Sequence, residues 1–189
     1  MAQWRREQEA REARIAAGAP LADGKVVPAG RAGALLEAVL RPGDRVCLEG
    51  DNQKQADLLA RALAGLDPDK VHDLHMVQSG VVLPEHLDIF ETGIARRLDF
   101  AYSGPQSARI ARMLYGGQIA LGAVHTYLEL FARYFIDLTP HVALIAAVSA
   151  DREGNLYTGP NTEDTPTVVE ATAFKNGVVV AQVNEVVDK

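Results

Sequence analysis

The sequence predicts an α/β protein, a mostly parallel sheet with helices on both of its faces. Three observations carry the prediction. The hydrophobic period switches repeatedly between the helical and the strand type. The strand-like runs, such as "HVALIAAVSA" and "GVVVAQV", are almost continuously apolar, as strands covered on both faces are. The two kinds of segment also alternate along the chain, the order in which crossover helices build a parallel sheet.

The elements follow in turn. Residues 1–22 form a charged N-terminal helix or arm, because "MAQWRREQEAREARIAAG" carries many charges and few apolar positions. The α/β domain spans 23–189. "GRAGALLEAVL" (30–40) is helical and "RPG" breaks it. "DRVCLEG" (44–50) is a strand, followed by a helix over 53–66 with Leu58, Leu59, Leu63 and Leu66 at helical spacing. A strand over 71–77 leads to a helix over 83–98 that has Pro84 at its start. "LDFAYS" (98–103) is a strand, and the helix after it opens on Pro105 and closes on Gly116 and Gly117. "QIALGAV" is a strand, "HTYLELFARYFIDL" a helix, "HVALIAAVSA" a strand, "TPTVVEATAF" a helix and "GVVVAQVNEVV" a final strand. No internal repeat, low-complexity segment or linker interrupts the series.

Composition narrows the function classes. Of 189 residues 48% are hydrophobic and 23% charged, an ordinary globular balance of single-domain size. A formal charge of -6 argues against nucleic acid, which needs a basic surface. No apolar run approaches the roughly 20 residues that span a bilayer, and the first residues lack the apolar core of a secretory signal. The single cysteine, Cys47, excludes an intrachain disulfide and fits a reducing cytoplasm. Its mid-strand setting reads as an inert buried thiol. His72 and His75 stand three apart in a strand, so they point to opposite faces and make no chelating pair. No metal site is expected. His125, at a strand-to-helix turn, reads as a capping or turn histidine, with acid-base work as the alternative.

Ligands of open parallel sheets bind beyond the carboxyl ends of the strands, where helix N-termini present free N–H groups. Three turns qualify. In "EGDNQKQ", Gly50 allows a tight turn, and Asp51 or Asn52 either caps the next helix or joins a backbone cradle for phosphate or carboxylate. In "AYSGPQSAR", Ser103 and Gly104 precede Pro105 and Gln106, offering hydroxyl and amide groups at a helix start. The third is the long polar loop "ADREGNLYTGPNTEDTPTVVEA" (150–171), where Asp164 or Thr165 is the natural cap. A cap does not explain Asn161 and Glu163 before it. Neither G-x-G-x-x-G after a strand nor G-x-x-x-x-G-K-[ST] occurs, so dinucleotide and P-loop chemistry lack support. The nucleophile elbow G-x-S-x-G is also absent.

The stretches "DFAYSGPQSARIARMLYGGQIALGAV", "ALIAAVSADREGNLYTGPN" and "VVEATAFKNGVVVAQVNEVVD" resemble the CoA-transferase fold. The shared features are a strand ending in a Ser-Gly turn, an A-D-x-x-G-N-L turn, and an Ala-rich helix leading to a strand that ends V-N-E-V-V-D. "EGDNQKQADLLARAL", "GAVHTYLELFARYFIDL" and "DREGNLYTGPNTEDTP" are most similar to the alpha subunits of malonate decarboxylases. That resemblance implies a CoA-transferase-like domain, the first of two halves with the active site between them, and inactive alone. It implies transfer of an acyl carrier protein's thioester from acetate to malonate, so that acetyl carrier and malonate give malonyl carrier and acetate. Implied partners are the carrier subunit, the other decarboxylase subunits, malonate and acetate, in a cytoplasmic complex, with a homo-oligomer possible. No cofactor is bound covalently on this reading. The enzyme acts on the carrier's dephospho-CoA-type prosthetic group, with CoA or acyl-CoA as possible ligands.

Such a transfer develops negative charge on the carbonyl oxygen and needs donors aimed at it. The substrate-binding candidates are Gly50, Asp51, Asn52, Ser103, Gly104, Gln106 and Asn161, with Asn161 orienting the substrate. Glu163 is the candidate catalytic residue, a carboxylate able to accept the acyl group. Two other readings of the fold stand beside this one. One is a sugar-phosphate-binding or regulatory domain, the other a non-catalytic subunit-assembly domain.

Overall fold

A computed structural model describes residues 1–50 and 54–188. The elements in order are α1 (Ala2–Gly18), α2 (Ala32–Val39), β1 (Arg45–Leu48), α3 (Asp57–Ala64), β2 (Leu74–Gly80), α4 (Glu85–Glu91) and β3 (Ala95–Tyr102). Then come α5 (Ser107–Tyr115), β4 (Ala120–Val124), α6 (Tyr127–Ile136), β5 (Val142–Asp151), β6 (Leu156–Tyr157), α7 (Thr165–Phe174) and β7 (Val178–Val187). Short 3-10 turns precede α2 and α5 and follow α1.

The sheet runs β4-β3-β2-β1-β5, every pair parallel, and β7 lies parallel to β5. Val142, Ala143 and Leu144 pair with both β1 and β7, so those two strands must occupy opposite edges of β5. β6 is the exception, a two-residue antiparallel strand that folds back on Ser149 and Ala150.

Alternation along the strands divides the core. Val46, Leu48, Leu74, Met76, Leu98 and Leu144 face one side, packed with Leu36, Leu59, Leu63, Leu87, Phe90 and Met113 of α2 to α5. Cys47, Val77, Ala143 and Ile145 face the other, under Leu130 and Tyr134 of α6 and Val168 and Ala171 of α7. Helices therefore cover both faces, as the apolar strands required. Burial pushes the Cys47 thiol well above its ordinary pKa, in keeping with an inert sulfur.

Two expected boundaries move. The helix expected to run to residue 98 stops at Glu91, and Gly93 takes a left-handed φ of 83° that turns the chain into β3. "IARRL" keeps a helical period, yet it pairs with β2 instead. The strand expected over 71–77 begins three residues later, because Asp73 is left-handed with φ 55°.

The charged N-terminal segment is a mostly exposed helix that buries Gly18 against Leu35 and Val39 of α2 and is tied down by Arg14. Arg14 donates to both oxygens of Asp44, at 2.5 and 2.8 Å, and to the Val39 carbonyl at 2.6 Å. Burial alone raises the Asp44 carboxyl, but hydrogen bonds from His141 and Arg14 outweigh it and hold the pKa below the usual range.

Toward β3 the second face turns polar. Asp99, 1% exposed, is bridged by His75 Nε2 at 2.6 Å and His125 Nε2 at 2.8 Å. His125 also meets Glu129 through Nδ1 at 3.2 Å, so it is a buried bridge rather than a cap. Burial raises the Asp99 carboxyl, but the two histidine bonds dominate and lower it from 3.8 to about 2. A carboxylate with a depressed folded pKa stabilises fully above its unfolded value and loses that stabilisation as pH falls through the folded one. Asp99→Asn should therefore reduce the unfolding free energy at neutral pH by about 2 kcal/mol. It should also flatten the wild-type loss of stability between pH 3.8 and about 2, read by urea denaturation across that window.

Candidate functional site

β1 hands the chain to β2 on one side, while β5 flanks it on the other. The strand order thus reverses between β1 and β5, and the crevice at their carboxyl ends is the topological switch point where such sheets take ligands. The residues there are Glu49 and Gly50.

Glu49 is 0% exposed. Its backbone N–H donates to Leu144 at 2.9 Å, and its Oε2 accepts from the Ala146 N–H at 2.7 Å, locking the end of β1 to β5. Its Oε1 accepts from the Thr165 hydroxyl, the first residue of α7. The Lys54 ammonium lies 3.2 Å from the same oxygen, donates to Thr165 Oγ1, and approaches the Thr162 carbonyl at 3.5 Å. Burial raises the Glu49 pKa, while the Ala146 and Thr165 bonds and the Lys54 charge pull it back. The Lys54 side chain keeps 10% of its surface exposed. The site thus presents a cation held by a carboxylate, a hydroxyl and a backbone carbonyl, a geometry suited to holding an anionic group.

The residues on either side of 51–53 are paired with each other. Gly50 and Gln55 form an antiparallel bridge, and the Ala56 N–H donates to the Glu49 carbonyl at 2.9 Å. The helix expected from 53 begins later, since Gln55 pairs with Gly50 and α3 starts at Asp57 with Ala56 in the cap position. Asp51 and Asn52 lie outside the described residues. The α3 N-terminus is already engaged. Gln182 of β7 accepts from the Leu59 N–H at 3.1 Å and donates to Asp57 at 2.9 Å. Gly50 is required by contact. A Cβ there would lie 2.3 Å from His86 Cε1 and 2.7 Å from the Gly80 carbonyl oxygen.

The second turn joins less directly. The Val81 N–H donates to the Tyr102 carbonyl at 2.7 Å, and Gln106 Nε2 reaches the Val82 carbonyl at 3.4 Å, so segment 80–82 links this turn to Gly50. Ser103 is occupied locally, its Oγ 2.8 Å from Ser107 Oγ, and Ser107 donates to the Gly104 carbonyl at 2.7 Å.

The long loop divides in two. Asp151 organises its first part, accepting from the Asn155 N–H at 2.8 Å, Asn155 Nδ2 at 2.7 Å and Tyr157 Oη at 3.1 Å. That half is the hairpin between β5 and β6, and its polar residues build structure. The second half crosses to α7 beside Lys54. Asn161 is half-buried there, and Glu163 is exposed with a φ of 31°, a left-handed backbone that a non-glycine residue adopts at a cost of about 1 kcal/mol. Asp164 is in the cap position and buried, but no side-chain cap bond forms. The expected alternative cap, Thr165, bonds Glu49 and Lys54 instead.

Sequence reasoning missed Glu49, Lys54 and the polar end of β2. The available signals were a glutamate between an apolar strand and a glycine, and Gln78-Ser79 inside an otherwise apolar strand. A groove of about 710 Å³ lies elsewhere, between α1, α2 and β7, and none of the candidate residues lines it.

The fold and its switch-point site define a CoA-transferase-like α/β domain. Glutaconate coenzyme A-transferase from Acidaminococcus fermentans superimposes with a TM-score of 0.66 at 11% identity, over 82% of this chain and 66% of that one, a likeness of fold. The family model for "Malonate decarboxylase, alpha subunit, transporter" matches residues 3–189, and the chain belongs to that family. It is 63% identical over 167 residues to the acetyl-S-ACP:malonate ACP transferase of Malonomonas rubra, covering 88% of this chain and 30% of that protein. It also matches a chain of a Pseudomonas malonate decarboxylase hetero-tetramer solved with malonate, with a TM-score of 0.96 and 57% identity, over 100% of this chain and 34% of that one. The chain thus spans about a third of the length of these relatives.

Glu49 gives the site a signature. A buried carboxylate with a raised pKa stabilises the fold most when protonated, and that contribution is lost as pH rises through the folded pKa. Wild-type stability should therefore fall with rising pH above the ordinary glutamate value of 4.5, and Glu49→Gln should flatten the slope in denaturation curves taken pH by pH.

Proposed function

We propose that this chain forms the N-terminal part of a subunit that moves an acyl carrier protein's thioester from acetate to malonate. The substrates would be an acetylated carrier and malonate, the products malonyl carrier and acetate. The partners would be the carrier and the other decarboxylase subunits. The reading draws on family membership and on the relative's transferase name. The observation that carries it is the Lys54 ammonium, fixed by Glu49 and Thr165 at the head of the crevice.

Malonate carries two carboxylates and acetate one. When one malonate carboxylate takes part in exchange, the other needs a cation, and Lys54 supplies it in a setting where burial strengthens the attraction. Asn161, on the loop beside Lys54, orients the substrate. Gly50, at the carboxyl end of β1, receives the thioester end, with Asp51 and Asn52 as further candidate contacts and Ser103, Gly104 and Gln106 on the far side. Glu163, exposed and in a left-handed backbone, is the candidate acyl acceptor. The thioester is carried on a pantetheine-type arm of the carrier, and CoA or acyl-CoA would bind as an analogue of it.

The test is exchange of labelled malonate into acetylated carrier by the full-length subunit. Exchange is expected for the wild type. Lys54→Met should raise the malonate KM at least about tenfold, or about 1.4 kcal/mol. Glu163→Gln should abolish exchange if the acyl group passes through that carboxylate. A wild type that exchanges nothing would overturn the reading.

A further inference from the structure

The buried polar groups of this protein are mostly paired, with one concentration of exceptions. Both amide atoms of Gln78, the Ser79 hydroxyl and both ring nitrogens of His86 have no hydrogen-bond partner among the described residues. Gln78 and His86 are 0% exposed and Ser79 is 1%. Gln78 pairs with Phe100, whose side chain belongs to the first core face, so its amide points into that face near the carboxyl end of β2. His86 opens α4 on the same face. Its imidazole lies against the bare Cα of Gly50, next to the Gly80 carbonyl. Ser79, one residue from Gln78, points to the opposite face. Unpaired polar atoms in a core destabilise a fold unless something satisfies them, and here they gather beside the turn that heads the crevice.

We propose that Gln78 and His86 bind the acyl carbonyl oxygen of the thioester substrate. The proposal rests on the acyl-transfer reading above and gives it donors for the acyl oxygen. When a carboxylate adds to the thioester carbon, the carbonyl electron pair moves onto oxygen, and collapse of the adduct expels the thiolate. An N–H of His86 and the amide N–H groups of Gln78 donate to that oxygen throughout, and neither side chain is consumed. Burial lowers the His86 pKa from 6.5 to about 4, so the ring is neutral at pH 7 and keeps one N–H to donate. Neutral donors in a dry setting suit a charge that appears only during reaction. A permanent carboxylate is better matched by Lys54. The site thereby separates the two ends of the chemistry, the acyl oxygen at β2 and the spectator carboxylate at Lys54.

The experiment uses the full-length subunit with selectively 13C-labelled histidine, titrated with acetyl-pantetheine and, as control, free pantetheine. The His86 resonance, assigned by its loss in His86→Leu, should shift with acetyl-pantetheine and stay still with pantetheine. Gln78→Met and His86→Leu should each weaken acetyl-pantetheine binding at least tenfold and slow acyl exchange about a hundredfold. Their melting temperatures should hold or rise, because an orphaned polar group has been replaced by an apolar one. A spectrum in which no histidine resonance moves with acetyl-pantetheine overturns the proposal, even if the variants fail to fold. So does a stable variant that binds acetyl-pantetheine like the wild type. A shifted resonance in a subunit that performs no exchange with malonate supports the carbonyl-binding pair while removing the transfer reading.

Discussion

A single buried carboxylate ties the functional end of this sheet together. Glu49 reaches β5 through the Ala146 N–H, α7 through the Thr165 hydroxyl and the residues before α3 through Lys54. The Ala146 and Thr165 contacts reach residues 97 and 116 positions from Glu49, and the Lys54–Thr165 bond spans 111. An ionised group without water must be paired and hydrogen-bonded to be tolerated, and the partners that Glu49 needs are the elements that shape the crevice. The burial of one charge therefore dictates where α7 starts, where the polar loop crosses and where the lysine points.

The arrangement also explains why the site sits at the β1–β5 junction. The chain reverses its direction of winding there, so no crossover helix closes the gap above the strand ends. β7 completes the sheet beyond β5, and its Gln182 occupies the start of α3. The anion-binding capacity of that helix start is partly used internally. The fixed cation of Lys54 and the polar end of β2 remain as the distinctive chemistry of the crevice.

Much of the architecture was legible because it rests on local periodicity. The apolar runs around Val46, Val77, Leu98 and Ile145 announced buried parallel strands, and Pro105 and Pro166 marked helix starts. Local signals failed where long-range pairing decided. "IARRL" has a helical pattern but lies against β2, and β6 is two residues of a polar loop captured by Ser149 and Ala150. At the site, the loops were visible as loops and their glycines as turns. The identity of the organising residue was not. A glutamate before a glycine reads as the exposed start of a turn, and only the approach of Thr165 and Ala146 makes it a buried hub. Thr165 read as a helix cap for the same reason, since its partner is 116 residues away. Family motifs drew attention to the long loop, whose first half, organised by Asp151, serves the hairpin.

The central claim is that Glu49 works through Lys54 to hold a malonate carboxylate. A double-mutant cycle on the malonate dissociation constant of the full-length subunit tests it most directly, using Glu49→Gln, Lys54→Met and the double variant. The account predicts that each single change weakens binding and that Glu49→Gln adds almost nothing once Lys54 is gone. Additive effects, or malonate affinity unchanged in Lys54→Met, would contradict it.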